Sequence, residues 1–205
     1  NLSWIHQEND EMDEALEQLQ WGLDCATELK NIELMGYSLL NIGQMQMDME
    51  NLEDAEINLR EARDVFKDTE FYRGNISVML HLAILYRSPE KYDIEGFEEA
   101  LMSAKELIDL VDYTPEIHSM LNLELAAYNS MQGKGNIELV HDYYWMAIEQ
   151  AIESGDGHLV SRAVQSALDF FERIGDVESA SRADEMGRAF LQTLSHRTRK
   201  MQRTR

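Results

Sequence analysis

The sequence predicts an all-α chain built by stacking antiparallel helix pairs, and three observations carry that prediction. Ala15, Ala55, Ala100, Val140 and Ala180 recur at nearly fixed spacing: the steps from 15 to 55, 55 to 100, 100 to 140 and 140 to 180 are 40, 45, 40 and 40 residues. A repeat of that length marks stacked supersecondary units, each burying its apolar face only against its neighbours. The 205 residues include two prolines, Pro89 and Pro115, and 11 glycines, so little interrupts a helix. Leu, Ala, Met, Glu and Gln, all good helix formers, dominate the composition.

The elements follow in order. The first unit retains Met12, Ala15, Leu19 and Gly22 of its second helix, and only half of a first helix, Leu2 to Glu8. The second unit is the clearest. Glu33 to Asp48 places Leu39, Ile42, Gly43 and Gln46 at helical spacing, Glu50-Asn51-Leu52 turns the chain, and Asp54 to Phe66 puts Ala55, Leu59 and Ala62 on one face. Two antiparallel helices close to van der Waals contact only where side chains are small, and Gly43, Ala55 and Ala62 are such places. In the third unit Met79, Leu82, Ala83 and Tyr86 form the first helix, and Ala100, Ala104 and Leu107 the second. An insertion, Arg87 to Glu95, accounts for the 45-residue step. The fourth pairs Leu123, Ala126 and Ala127 with Val140, Tyr144 and Ala147, with an extra residue near Gly133-Lys134-Gly135. The fifth ends its first helix at Phe171, turns at Gly175-Asp176 and continues through Ala180 and Gly187. From Arg182 to Leu194 an apolar stripe (Ala183, Met186, Gly187, Phe190, Leu194) predicts a capping helix, with residues 182–205 forming that cap and a basic end.

Leu39, Ile42, Gly43, Ala55, Leu59 and Ala62 resemble the consensus of a tetratricopeptide repeat, and the other units resemble it with variable fidelity across the whole chain. The resemblance implies one array over residues 1–205, about five helix-turn-helix units coiled into a right-handed superhelix. The step exceeds the usual ~34 residues and lengthens each helix by most of a turn. Stretches such as Ala26 to Gly43 and Ile152 to Ala167 are most similar to the long bacterial variants.

Charge and chemistry narrow the function. The net charge of −21 argues against binding a phosphate backbone, so nucleic acid is not an expected partner. Charge is also segregated: Arg197, Arg199, Lys200, Arg203 and Arg205 lie in the last segment without an acid, and without them the remainder stands at −26. A single cysteine, Cys25, excludes an internal disulfide and a Cys-rich zinc site. No run approaches the ~20 apolar residues that cross a bilayer, and no leader pattern is visible, so the expected compartment is the cytoplasm, with no membrane partner. The sequence lacks HExxH and CxxC, and its six histidines are scattered, so neither metal nor cofactor is expected. Gly133-Lys134-Gly135 lacks the remaining glycine and hydroxyl of a phosphate loop and reads as a turn. Asp48 to Asp54 lacks the spacing of a calcium loop. Asn75-Ile76-Ser77 matches a glycosylation sequon but falls inside an expected helix. Tyr143-Tyr144-Trp145 reads as packing within and between units. Pairs such as Glu98-Glu99 read as solvated faces, so no enzyme activity is expected.

By the resemblance, the first helix of each pair lines a concave groove. Projection of those helices places Tyr37, Leu40, Gln44 and Met47 there from the second unit, and Leu80, Ile84 and Arg87 from the third. Glu124, Tyr128 and Met131 follow from the fourth, and Arg162, Gln165, Asp169 and Arg173 from the fifth, with Trp4 contributing from the first. Such a surface suits a protein or peptide partner with apolar anchors. Some members grip a C-terminal carboxylate with Lys, Asn and Arg. The matching places here carry Leu40, Leu80 and Gln44, so that clamp is absent. The expected function is thus non-catalytic protein–protein interaction. The alternatives are a regulatory or sensor segment of a larger bacterial signalling protein, with a cyclase, diguanylate cyclase or transcription-regulator output, and self-association through the terminal repeats.

Overall fold

The computed structural model describes the backbone of residues 2–131 and 136–202, and side chains over 12–131 and 136–194. Among these residues the chain is all-α, helices joined by short turns, with no strand. The α-helices are α1 (Leu2–Glu28), α2 (Ile32–Asp48), α3 (Leu52–Phe66), α4 (Tyr72–Arg87), α5 (Ile94–Leu107), α6 (Pro115–Met131), α7 (Ile137–Ser154), α8 (Gly157–Ile174) and α9 (Val177–Gln202). They fall into two compact units, Asn1–Val111 and Asp112–Arg205.

In the first unit each helix packs on the next from α1 to α5, and α2 also touches α4. The seam between α2 and α3 closes where the sequence is small. Ala55, Leu59 and Ala62 are fully buried, and a Cβ on Gly43 would lie 2.7 Å from Leu59 Cγ. Phe66, at the end of α3, sits between two further glycines. A Cβ on Gly36 of α2 would lie 2.3 Å from its ring, and one on Gly74 of α4 would lie 2.5 Å from it. One aromatic side chain thereby holds α3 against both neighbours. Burying a ring of this kind is worth about 1.5–3 kcal/mol.

The insertion expected at Arg87 to Glu95 is real and ordered. Ser88 ends α4 by donating its Oγ to the Leu85 carbonyl, Pro89–Lys91 forms a short 3₁₀ turn, and Asp93 caps α5 by accepting from the Gly96 N–H at 3.0 Å. Lys91 anchors the turn on α3 through Glu56 at 3.0 Å and Glu53 at 3.4 Å.

In the second unit α6 to α9 again pack in succession, and α6 touches α8. Alanines make the close contacts here: Ala147, Ala151, Ala163, Ala167 and Ala183 are fully buried. Ser119 is also fully buried, and its Oγ donates to the Ala147 carbonyl at 2.8 Å, tying α6 to α7. Gly155 and Gly175 end α7 and α8 in the left-handed conformation, with φ of 79° and 77°.

Three boundary expectations are corrected. Leu2 to Glu8 is not a separate half helix, because nothing between it and Met12 stops propagation, and residues 2–28 run as one helix. The fifth unit's second helix and the expected capping helix are likewise one element, α9. The helix expected to end at Phe171 continues to Ile174, where Gly175 supplies the stop. Gly133-Lys134-Gly135 and the side chains of the basic end lie outside the described residues. In α1, Ala15, Leu19 and Gly22 are half-buried.

Candidate functional site

The first helices of the pairs, α2 and α4 in one unit and α6 and α8 in the other, carry the residues expected to meet a partner. On α2 and α4 the surface is more polar than projection implied. Leu40 and Leu80 are buried, at 4% and 0% exposure, and offer no side chain to a partner. A helix inside a stack packs on neighbours at both flanks, so its apolar sector is wide and the exposed sector turns one residue further along. Asn41 is exposed and His81 half-buried, one position beyond the two leucines.

His81 is fixed by two contacts. Its Nδ1 lies 2.7 Å from the Ser77 carbonyl, and its Nε2 lies 2.6 Å from Gln44 Nε2. A carbonyl only accepts, so in the neutral ring Nδ1 carries the proton and Nε2 accepts from the Gln44 amide. This bond ties the two helices across their shared face. Tyr37, half-buried two turns before Gln44, packs edge-on to Phe66 at 5.3 Å. Burial, reinforced by the Glu33 carboxylate and opposed by Arg73, raises its phenol pKa above the ordinary value. Met47, Ile84 and Arg87 are half-buried. Sequence reasoning misses Asn41, Ser77 and His81 because it takes polar residues for the flanks of an apolar centre; their helical spacing is the signal that marks them.

On α6 and α8 the outcome divides. Glu124 is fully buried and so forms no part of an exposed surface. Instead its Oε1 lies 3.7 Å from Arg162 Nη2, placing the pair between the two helices. Tyr128 is half-buried, and Met131, the last residue of α6, is 44% exposed. Arg173 donates from Nη2 to Ser130 Oγ at 2.6 Å and lies over the Phe170 ring at 5.7 Å. Gln165 donates to Asp169 at 2.8 Å, and both are exposed. Gln165, Asp169 and Arg173 therefore form an i, i+4, i+8 row on α8, a polar strip held by internal bonds and open to solvent. The Trp4 side chain lies outside the described residues.

The aromatic cluster resolves as packing among α7, α8 and α9. Tyr144 is buried against Phe170 at 5.1 Å. Trp145 stacks on Phe171 at 5.4 Å, donates to His141 Nε2 at 3.2 Å, and carries the Arg182 guanidinium over its face at 4.6 Å. Asp176 caps α9 by accepting from the Ser179 N–H at 3.0 Å, and its other oxygen lies 3.6 Å from His141. These bonds, Ser179's first and His141's charge after it, lower its pKa below the ordinary carboxylate value.

Asn75, the sequon residue, is buried inside α4 at 9% exposure. Among the described residues no three His, Cys, Asp or Glu side chains converge on a metal-sized site, and no helix is long and apolar enough to cross a membrane.

No family model matches the chain, and no curated protein matches it in sequence. Among solved structures it is similar to the crystal structure of BtubC (BKLC) from P. vanneervenii, with a TM-score of 0.66, 12% identity, and coverage of 95% of this chain and 78% of that one. A likeness at that identity concerns the fold alone: an all-α chain of successively packed helix pairs.

Proposed function

We propose that the chain is a non-catalytic protein-interaction array of tetratricopeptide type, acting in the cytoplasm, that holds a partner helix or extended segment against the first helices within a unit. The supporting observation is the α8 strip of Gln165, Asp169 and Arg173, whose side chains are positioned by contacts on a rigid helix yet remain exposed. A surface ordered before binding loses less side-chain entropy when a partner arrives. Its mixed charge selects a segment with both acidic and basic groups, with Tyr128 and Met131 beside it for an apolar anchor. The net charge of −21 directs this surface to proteins rather than nucleic acids. Self-association through the half-covered face of α1 belongs to the same class of function.

The test is partner recovery on the immobilised chain with Tyr128→Ala and Arg173→Glu. Each is expected to reduce recovery at least about tenfold, the effect of one central contact. Recovery unchanged by both would overturn the assignment of this face. A second reading, a regulatory segment of a larger signalling protein, is favoured by α9, which runs unbroken for 26 residues into the basic end. An output domain encoded after Arg205 would support it; a stop codon there would remove it.

A further inference from the structure

Between α3 and α5, over α4, lies a cleft of about 430 Å³, within the range of small-ligand sites. Met79 and Leu82 give it an apolar floor. Arg60 and Arg63, one turn apart on α3, make one wall basic, and Glu95 and Glu99, one turn apart on α5, make the other acidic. Asp93 also lines the cleft and its charge acts on Arg60, yet no ion pair joins the two walls among the described residues. Arg60 commits Nε to the Tyr86 hydroxyl at 3.0 Å and Nη2 to Glu56 at 2.8 Å, which leaves three of its five N–H groups uncommitted. Arg63 reaches its chain neighbour Asp64 at 3.3 Å. Glu95 and Glu99 have no basic partner among the described residues.

Arg60 is held in place before any ligand arrives, because Lys91 grips the same Glu56 at 3.0 Å.

We propose that this cleft binds a small zwitterion, a free amino acid with an apolar side chain. Its carboxylate lies against Arg60 and Arg63, its ammonium against Glu95 and Glu99, and its side chain on Met79 and Leu82. An anion alone would leave two carboxylates facing it, and a cation alone would meet two guanidinium groups. Occupancy ties α3 to α5, the second helices of consecutive pairs, and so stiffens the first unit. Met79 and Leu82 lie on α4 but are not among the residues expected to meet a protein partner there, so the two sites stand or fall separately.

The experiment is calorimetric titration and thermal melting of the full chain with L-methionine, L-leucine and L-phenylalanine, beside N-acetyl-L-methionine and L-methioninamide. A free amino acid is expected to bind and raise Tm, and either blocked form to bind at least about tenfold more weakly, the loss of one charge-assisted contact. Arg63→Gln, at a half-buried position, and Glu99→Gln, at an exposed one, are expected to weaken binding about tenfold while leaving the unliganded melt in place. No binding by any of the three at roughly 10 mM, equal binding of the blocked forms, or full affinity in both variants would overturn the proposal.

Discussion

Phe66 shows how much of this fold depends on single positions. Its ring lies where a Cβ on either Gly36 or Gly74 would stand, and Tyr37 and Phe71 close the remaining sides at 5.3 and 6.3 Å. A ring pinned on opposite sides cannot yield to a new methyl. Gly74→Ala gains about 1 kcal/mol of helix propensity but incurs about 1–3 kcal/mol of overpacking, and should lower stability in urea titration. Gly22 is the control: a Cβ there meets only Ser38 Oγ, at 3.9 Å. Gly22→Ala should therefore raise stability by about 0.5–1 kcal/mol; a loss at Gly22 or a gain at Gly74 would refute the packing account. Asp176 gives a pH signature. Its folded-state pKa is lowered, so its contribution is present above the unfolded value near pH 4 and fades as pH falls through the lower, folded one. Asp176→Asn keeps an acceptor for the Ser179 N–H without the charge, and should flatten that part of the acid limb in thermal melts.

At the scale of elements, the helix ends divide into two kinds. Gly155 and Gly175 adopt positive φ with nothing within 4 Å of where a Cβ would stand, so only backbone strain opposes a side chain there. Gly155→Ala should cost about 1–2 kcal/mol. Lys30 and Glu50 adopt the same conformation, at φ of 52° and 59°, without being glycine. Glu50→Gly should relieve that strain and stabilise the turn between α2 and α3 by roughly 0.5 kcal/mol, less than the full strain because glycine loses more entropy on folding. Chemical denaturation of both variants checks the opposite signs. The turn at Glu50-Asn51 is legible in the sequence because acidic and turn-forming residues interrupt the apolar period there, although Leu52, expected in the turn, already belongs to α3. The unbroken α1 and α9 are not, since a repeat pattern suggests joints where the chain contains no residue that makes one. Projection sends Leu40 and Leu80 to the wrong face for a related reason: periodicity gives the apolar sector's centre, while its width depends on how many neighbours the helix touches.

For the whole molecule, an acidic all-α chain of repeated pairs is legible from five small residues and two prolines. The row on α8 is identifiable from sequence because Gln165, Asp169 and Arg173 recur every four residues, opposite the apolar stripe of an amphipathic helix. Glu124 escapes such reasoning because it is buried beside Arg162, a residue 38 positions away that no local pattern connects to it. Neither is the cleft between α3 and α5 visible, since its walls come from residues that helical spacing marks as solvated. The central claim is that a partner lies along the first helices of the pairs. Site-specific photo-crosslinkers at Asn41 and Gln165, set against exposed control positions Glu61 and Glu149 on the second helices, test it directly. Adducts with a partner from Asn41 or Gln165, and none from the controls, are the predicted result. Adducts from Glu61 or Glu149 alone would contradict it.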